Sequence, residues 1–244
     1  MENVKLIIKK NVQVGKDIYL MRLVGDTKAI KKPGEFINIT IPNYYLRRPI
    51  SVCRYTEEYV DILYKVLGRG TKDLSEFKEG TTVDTLVGLG NGFDTSLSKK
   101  PLLIGGGIGI APMFALAEKF NELGIKPTLI YGARSIDDIV LVDKLSKIAD
   151  VHICTDDGTL GFKGNVIEYL KQTNIDYDYY YACGPHKMLE FLSKAYQNGC
   201  LSLESRMGCG FGACMGCSIK TTNGFKRVCK EGPVFDASEV LFNE

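Results

Sequence analysis

Four cysteines fall within 21 residues near the carboxyl end: Cys209, Cys214, Cys217 and Cys229, spaced C-x4-C-x2-C-x11-C. Thiolates are soft metal ligands, and this order of gaps is the one used by plant-type [2Fe–2S] sites. Gly208, Gly210, Gly212 and Gly216 stand among them, with Ala213 also small. A loop wrapped around a cluster needs left-handed backbone angles and N–H groups close to sulfur, and glycine permits both. A structural zinc site is the competing reading. Such sites usually pair two short C-x2-C knuckles, whereas this chain offers one C-x2-C and a four-residue gap.

A second kind of chemistry lies upstream. Gly105-Gly106-Gly107-Ile108-Gly109-Ile110-Ala111-Pro112 joins a buried apolar run to a helical pattern. Unhindered amides and the positive end of a helix can receive a pyrophosphate there, although such turns also serve tight strand–helix packing. Cys183-Gly184-Pro185 follows a later strand pattern, Tyr179 to Ala182. Two loops at carboxyl strand ends of one sheet point to a cofactor crevice. Earlier still, Arg48-Pro49-Ile50-Ser51 offers a cation and a hydroxyl on an extended run, as a diphosphate requires. Gly68-Arg69-Gly70-Thr71 precedes a short helix and is a further anion seat. Each of the last two, taken singly, also reads as a surface arginine or an ordinary turn.

These residues need a scaffold, and the apolar periodicity divides the chain into three parts. Residues 1–98 alternate in short runs, Lys5–Ile8, Ile18–Leu23, Glu35–Ile39, Ile50–Val52 and Tyr59–Val66, separated by Gly, Pro and Asn turns. That spacing predicts a small antiparallel barrel. One short helix interrupts it, with Thr71 or Asp73 as its N-cap and Leu74 and Phe77 facing inward. Residues 99–200 alternate strand and helix, which predicts a parallel sheet covered by helices. A helix starts near Ala111 and stops at Gly124; a last one starts at Pro185 and is closed by Gly199. Residues 201–244 hold the cysteines and a hairpin signal, Asn223-Gly224, that can carry Cys229 back to the loop.

Composition narrows the classes. Thirty-one Lys and Arg against 29 Asp and Glu leave a net charge of +2, with no electrostatic footprint for nucleic acid or an anionic membrane. No apolar run approaches a membrane span, and the first residues open no secretory signal, so the expected compartment is the cytoplasm. A reducing compartment disfavours disulfides and leaves clustered cysteines to metal or redox work. Cys53, Cys154 and Cys200 receive no role. His152 and His186 are expected to be structural or exposed.

Taken together and in this order, Arg48-Pro49-Ile50-Ser51, Gly68-x-Gly70-Thr71, Gly105-Gly106-Gly107-x-Gly109-x-Ala111-Pro112 and Cys183-Gly184-Pro185 resemble the ferredoxin–NAD(P) reductase superfamily. The tail, Glu204 to Cys214 and Arg227 to Phe235, is similar to that of the electron-transfer subunits of type B dihydroorotate dehydrogenases. The resemblance covers essentially the whole chain. It implies an FAD-binding barrel, a nicotinamide-binding α/β domain and a [2Fe–2S] module, with NADH passing hydride to FAD and the cluster carrying single electrons onward. The partner implied is an FMN-containing catalytic subunit of pyrimidine (UMP) biosynthesis, in a heterotetramer of two of each chain.

Carried over residue by residue, Arg48, Pro49, Ile50 and Ser51 would hold the flavin and its phosphates. Leu63, Tyr64 and Lys65 would line it, and Gly70 and Thr71 would face its diphosphate. Gly105, Gly106, Gly107 and Gly109, with Cys183, Gly184 and Pro185, would face the nicotinamide nucleotide; Cys183 reads equally well as a small buried hydrophobe. The preferred nucleotide is NAD, with Arg134 available to a 2′-phosphate and Asp156 and Asp157 opposing one. Two other readings stand beside this one. The small flavin subunit of electron-bifurcating NADH-dependent ferredoxin–NADP reductases is alike in all three parts, but has aspartate where this chain has Cys209. A non-enzymatic, zinc-bearing regulatory module is the reading from another class.

Overall fold

The alternating runs of the amino-terminal part close on themselves. The structure is a computed structural model that describes residues 1–242; Asn243 and Glu244, the end of the expected 201–244 module, lie outside the described residues. Six strands, β1 (Glu2–Gly15), β2 (Ile18–Val24), β3 (Phe36–Ile39), β4 (Arg48–Tyr55), β5 (Tyr59–Lys65) and β6 (Thr82–Leu89), form an antiparallel barrel in the order β1-β2-β5-β4-β3-β6. Inward positions bury Leu6, Met21, Leu23, Ile37, Ile39, Val52, Ile62 and Val83, the period-two pattern that fixes strand register. The closing strand β6 is the least evident in sequence, because Thr85 stands in its apolar row and Gly88 (φ +68) interrupts it.

The short helix is α1 (Arg69–Ser75), and its cap differs from the expected one. Gly68 is the N-cap, and Thr71, three residues in, reaches back: its Oγ1 accepts from the amides of Leu67 (3.0 Å) and Gly68 (3.2 Å). A threonine at the third helical position thus serves the amides of the cap and of the residue before it, the reciprocal half of a capping box, while Gly68 offers no side chain to the first-turn amides. Leu74 is fully buried, worth roughly 2 kcal/mol. Phe77 lies beyond the helix and packs only partly on the barrel core.

The second half is a seven-stranded sheet. Its members are β7 (Pro101–Gly106), β8 (Thr128–Ala133), β9 (Asp150–Thr155), β10 (Phe162–Lys163), β11 (Tyr179–Cys183), β12 (Gly199–Ser202) and β15 (Val234–Asp236), in the order β10-β9-β8-β7-β11-β12-β15. All neighbouring pairs are parallel except β12 with β15. Helix α2 (Ile110–Glu122) packs Phe114, Leu116 and Phe120 on one face together with Leu145 of the single-turn α3 (Val142–Leu145). On the other face, α4 (Val166–Gln172) and α5 (His186–Ala195) contribute Val166, Leu170, Leu189 and Leu192. Gly199 does not close α5, which ends at Ala195; it opens β12, where Tyr180 lies so close that a Cβ would collide with its ring. The division at residue 200 therefore falls inside a strand, and the tail returns to the same sheet through β15.

Between those two strands, the tail forms a coil through the cysteines and a hairpin of β13 (Ser218–Thr221) and β14 (Gly224–Arg227). Its two-residue loop is Thr222-Asn223, with Gly224 (φ +94) already paired to Thr221, one residue earlier than the Asn-Gly signal suggests. Barrel and sheet are joined by polar contacts: Arg54 Nε meets Glu118 Oε1 at 2.8 Å, Lys65 Nζ meets Asp138 Oδ1 at 2.6 Å, and the Lys16 amide donates to the Asp137 carbonyl at 2.9 Å. Among the described residues, no helix is long and apolar enough to cross a membrane.

Candidate functional site

The strand order turns between β7 and β11: the chain runs from β7 outward to β8, β9 and β10, then returns to place β11 on the other side. Ligands in open α/β sheets bind at such a switch point, beyond the carboxyl ends of the strands. Here both glycine loops meet. The Gly106 Cα is 2.9 Å from where a Gly184 Cβ would stand, and a Cβ on Gly109 would strike the Cys183 carbonyl. Gly106 and Gly184 also press on Met188, and Gly106 on Pro185. Gly107 is different. It has φ +55 with open space where a Cβ would be, so its backbone can be approached closely by a ligand.

A cleft of 220 Å³ opens between this switch point and the barrel. It brings together the sequence-predicted Pro49, Ile50, Ser51, Leu63, Tyr64, Lys65, Thr71, Gly109 and Cys183. Arg48 and Gly70 stand to its side, packed on one another: a Gly70 Cβ would overlap the Arg48 guanidinium. That guanidinium lies 4.7 Å from the Tyr44 ring centroid and, among the described residues, forms no ion pair with a carboxylate. A partly exposed cation without a counter-ion fits a diphosphate. The apolar walls and small flanking polar groups fit a flavin ring. Gly105 and Gly106 lie inside β7 rather than facing the cleft, and Gly105 packs against Ile110.

The electrostatics of the cleft are quiet. Tyr64 is buried; burial raises its phenol, and its OH donates to Asn11 Oδ1 at 2.9 Å. Asn11 Nδ2 in turn donates to the carbonyls of Leu74 and Phe77 at the end of α1, so one side chain ties the cleft wall to that helix. Burial pushes the Cys183 thiol up to about 12, so it is a neutral thiol at physiological pH. His152 contacts Tyr169 OH through Nδ1 at 2.8 Å, and His186 packs edge-on against Phe242; neither lines the cleft. Arg134 and Asp156 sit side by side where β8 and β9 end, since the Asp156 amide donates to the Ala133 carbonyl at 3.1 Å. Asp157 is occupied by Thr159, whose amide (2.9 Å) and hydroxyl (2.6 Å) both donate to its Oδ1.

Sequence reasoning missed a strip of the wall. Ser202, Leu203, Glu204, Ser205 and Met207 run along the cleft from the end of β12 toward the cysteines, and Phe36 and Ile108 complete it. Ser202 and Leu203 belong to no motif, and Glu204, Ser205 and Met207 are legible in the sequence only as the start of the tail, with no place in the cleft. Only the pairing of β12 with β11 and β15 brings the strip there.

The four cysteines of the tail are free thiols standing as two pairs. Cys209 and Cys214 share a thiol–thiol contact, and the Cys209 amide donates to Cys214 Sγ at 3.4 Å. Cys217 and Cys229 do the same, with the Cys229 amide donating to Cys217 Sγ at 3.4 Å. Among the described residues no three Cys, His, Asp or Glu side chains converge on one metal-sized point. Two thiol pairs fit two iron atoms better than one tetrahedral ion. Burial opposes ionisation of Cys209, but the amides of Phe211, Cys214 and Ala213 and the Cys214 thiol outweigh it and bring it down to about 6. Burial, then the adjacent Cys217, pushes Cys229 up to about 12. Arg227 clasps the site: its guanidinium forks onto the Glu231 carboxylate and donates to the Gly212 carbonyl of the cysteine loop.

Comparison with known proteins places related chains beside this one. The family described as the iron–sulfur cluster binding domain of dihydroorotate dehydrogenase B matches residues 204–241, and the oxidoreductase NAD-binding domain matches residues 103–194. The dihydroorotate dehydrogenase B (NAD(+)) electron transfer subunit of Fusobacterium nucleatum is 41% identical over 96% of this chain and 96% of its own. That of Shouchella clausii is 36% identical over 97% of each. Among solved structures, an NADH-dependent reduced ferredoxin–NADP oxidoreductase, described for flavin-based electron bifurcation, is similar with a TM-score of 0.86 and 28% identity over 96% of this chain and 89% of that one. Phthalate dioxygenase reductase, described as a modular structure for electron transfer from pyridine nucleotides to [2Fe–2S], shares the fold with a TM-score of 0.67 and 18% identity over 97% of this chain and 77% of that one.

Proposed function

This chain belongs to the family of dihydroorotate dehydrogenase B electron transfer subunits, and from that premise we propose how its residues divide the work. The chain is the electron-transfer component of an NAD-linked oxidoreductase, with FAD, an iron–sulfur cluster and NAD(H) as its redox groups. A flavin exchanges electrons in pairs or singly and so connects a nicotinamide to an iron–sulfur cluster. The observation that carries the reading is the cleft in which barrel strands, glycine turn and tail strip meet, with the Cys217–Cys229 pair packed behind its wall through Phe36.

Arg48 offers its guanidinium to the flavin's diphosphate, and Gly70 leaves the space that lets it lie there. Pro49, Ile50 and Leu63 exclude water from the ring, Tyr64 is held in place by Asn11, and Ser51 and Thr71 supply polar edges. Lys65 is fixed by Asp138, so it orients the barrel side of the cleft relative to the sheet. Gly107 and Gly109, with Cys183, Gly184 and Pro185, form the seat for the nicotinamide nucleotide, and Gly105 and Gly106 pack behind it against Ile110, Pro185 and Met188; Gly107 gives the open backbone and Cys183 a small neutral wall. Cys209, Cys214, Cys217 and Cys229 are the cluster ligands. Three modules serve the three redox groups; the boundary expected between 99–200 and 201–244 falls within β12, and the tail shares the sheet of the second module through β12 and β15.

The name shared by the relatives implies a catalytic partner subunit. We assign to that partner the FMN and the dihydroorotate chemistry, in a cytoplasmic heterotetramer of two of each chain. Its docking surface is the cysteine loop, where Phe211, Cys214 and Met215 are exposed. Buried Cys217 and Cys229 leave the Cys209–Cys214 side as the outward edge, where electrons leave. The bifurcating reductase supports the same architecture, while Cys209 and the identity to the curated relatives favour the dihydroorotate reading.

Co-purification with its partner tests this. The chain alone is expected to oxidise NADH with a dye acceptor and to leave dihydroorotate untouched, whereas the complex reduces NAD+ with dihydroorotate. Dihydroorotate oxidation by the isolated chain, or a strong preference for NADPH, overturns the assignment.

A further inference from the structure

Strand β3 is a wall with two faces. Ile37 and Ile39 belong to the barrel core, whereas Phe36 and Asn38 alternate to the outside. Phe36 lines the cleft and belongs to the packed group that includes Cys217, Val228 and Cys229. Asn38 lies opposite Pro49 in the β3–β4 ladder, one strand from a flavin-wall residue, and is only 1% exposed. Its Nδ2 donates to the carbonyl oxygen of Cys209 at 3.3 Å. Gly210, next in the cysteine loop, has φ +78, and a Cβ there would collide with the Asn38 amide nitrogen. The other half of the amide, Oδ1, is buried and has no hydrogen-bond partner.

A buried amide with one unsatisfied atom is an expensive way to fill space, and an apolar side chain of similar volume would pack there without that cost. The contact it does make is therefore what the position supplies. We propose that Asn38 is a positioning residue which registers the cysteine loop on the flavin-bearing barrel by holding the Cys209–Gly210 peptide. This inference rests on the reading of Cys209, Cys214, Cys217 and Cys229 as cluster ligands. The peptide that Asn38 grips leads directly into the segment whose amides surround Cys209 Sγ, including the Ala213 amide at 3.2 Å. Hydrogen bonds to cluster sulfurs raise the reduction potential, and supporting contacts of this kind hold metal tightly. Asn38 thus fixes both the reach from cleft to cluster and the potential of the cluster.

Asn38→Leu and Asn38→Asp in the full-length protein test this. Leucine fills the volume without a donor; aspartate keeps the shape and turns an acceptor toward the Cys209 carbonyl. Both are expected to retain FAD and NADH–dye activity, to lower the cluster's potential in a redox titration followed by electron paramagnetic resonance, and to release iron to a chelator about 10–100-fold faster than wild type. An unchanged potential and release rate in both variants, with a normal wild-type signal, overturns the inference alone. Joint loss of FAD and iron in both also overturns it, because Asn38 is then a general structural residue. A wild-type protein without an iron–sulfur signal overturns the ligand assignment and this inference with it.

Discussion

The ammonium of Lys65, at the end of β5, lies 2.6 Å from the carboxylate of Asp138 in the second domain, with the two side chains 28% and 11% exposed. Tyr131 OH donates to the Asp138 carbonyl at 3.1 Å, so the carboxylate is carried on a turn that the sheet itself braces. A cleft-lining barrel strand and the sheet of the second domain are thereby held at one fixed separation. Asp138→Asn is expected to destabilise the protein by about 2 kcal/mol in urea unfolding, as for loss of a charged, half-buried hydrogen bond. It should also weaken FAD retention. A double-mutant cycle with Lys65→Met checks the pairing, and additive losses would contradict it.

The two kinds of glycine at the switch point separate packing from binding. Gly107→Ala costs about 1 kcal/mol through its left-handed φ and nothing through collision. Its effect should fall on NADH, with KM raised roughly tenfold and the flavin retained. Gly184→Ala puts a Cβ 2.9 Å from Gly106 Cα and against Met188, so it should cost about 1–3 kcal/mol of stability as well. Steady-state kinetics and thermal unfolding on the same two variants distinguish these outcomes.

Arg227 joins the two halves of the cysteine site. Its guanidinium hydrogen bonds are the main reason the Glu231 carboxyl is pulled down to about 2, and they keep it ionised at every working pH. Lysine retains the charge but cannot form the fork. Arg227→Lys should therefore lose iron about 10–100-fold faster under chelation, much as Arg227→Gln does. Wild-type retention in the lysine variant would show that charge alone suffices.

Cys183 gives a pH prediction. Burial raises its thiol to about 12, so the thiol form persists throughout the range below that value and thiolate appears only as pH rises toward it. The NADH–dye rate should show no limb from this group between about pH 6 and about pH 9, and alkylation by iodoacetamide should be slow. A limb in that range which disappears in Cys183→Ala would contradict the burial.

Much of the site was legible because its chemistry is local. The cysteine spacing, the glycine turn before α2 and the Arg48–Ser51 run each place donors within a few residues, and neighbours in sequence remain neighbours in space. What sequence did not reveal depends on pairing across the fold. Gly199 reads as the close of a helix until β11 and β15 flank the strand it opens, and only then does the strip from Ser202 to Met207 become a cleft wall. Asn38 looks like a polar interruption in a barrel strand; Cys209, far along the chain, gives it a function. Thr71, read with Asp73 as a candidate cap, lies three residues past the actual cap Gly68, because a hydroxyl at the third helical position can reach back to the amides of the cap and the residue before it.

In the proposed electron path, one chain carries electrons from NADH through FAD to a cluster held by Cys209, Cys214, Cys217 and Cys229. Anaerobic titration of the purified chain with NADH, followed by visible absorbance and low-temperature electron paramagnetic resonance, tests it most directly. The expected result is flavin bleaching accompanied by the signal of a reduced [2Fe–2S] cluster, with iron and acid-labile sulfide in equal amounts, and with the signal lost in Cys214→Ser while flavin bleaching persists. A colourless protein carrying zinc in place of iron, or a flavin that bleaches with no paramagnetic cluster in the wild type, would contradict it.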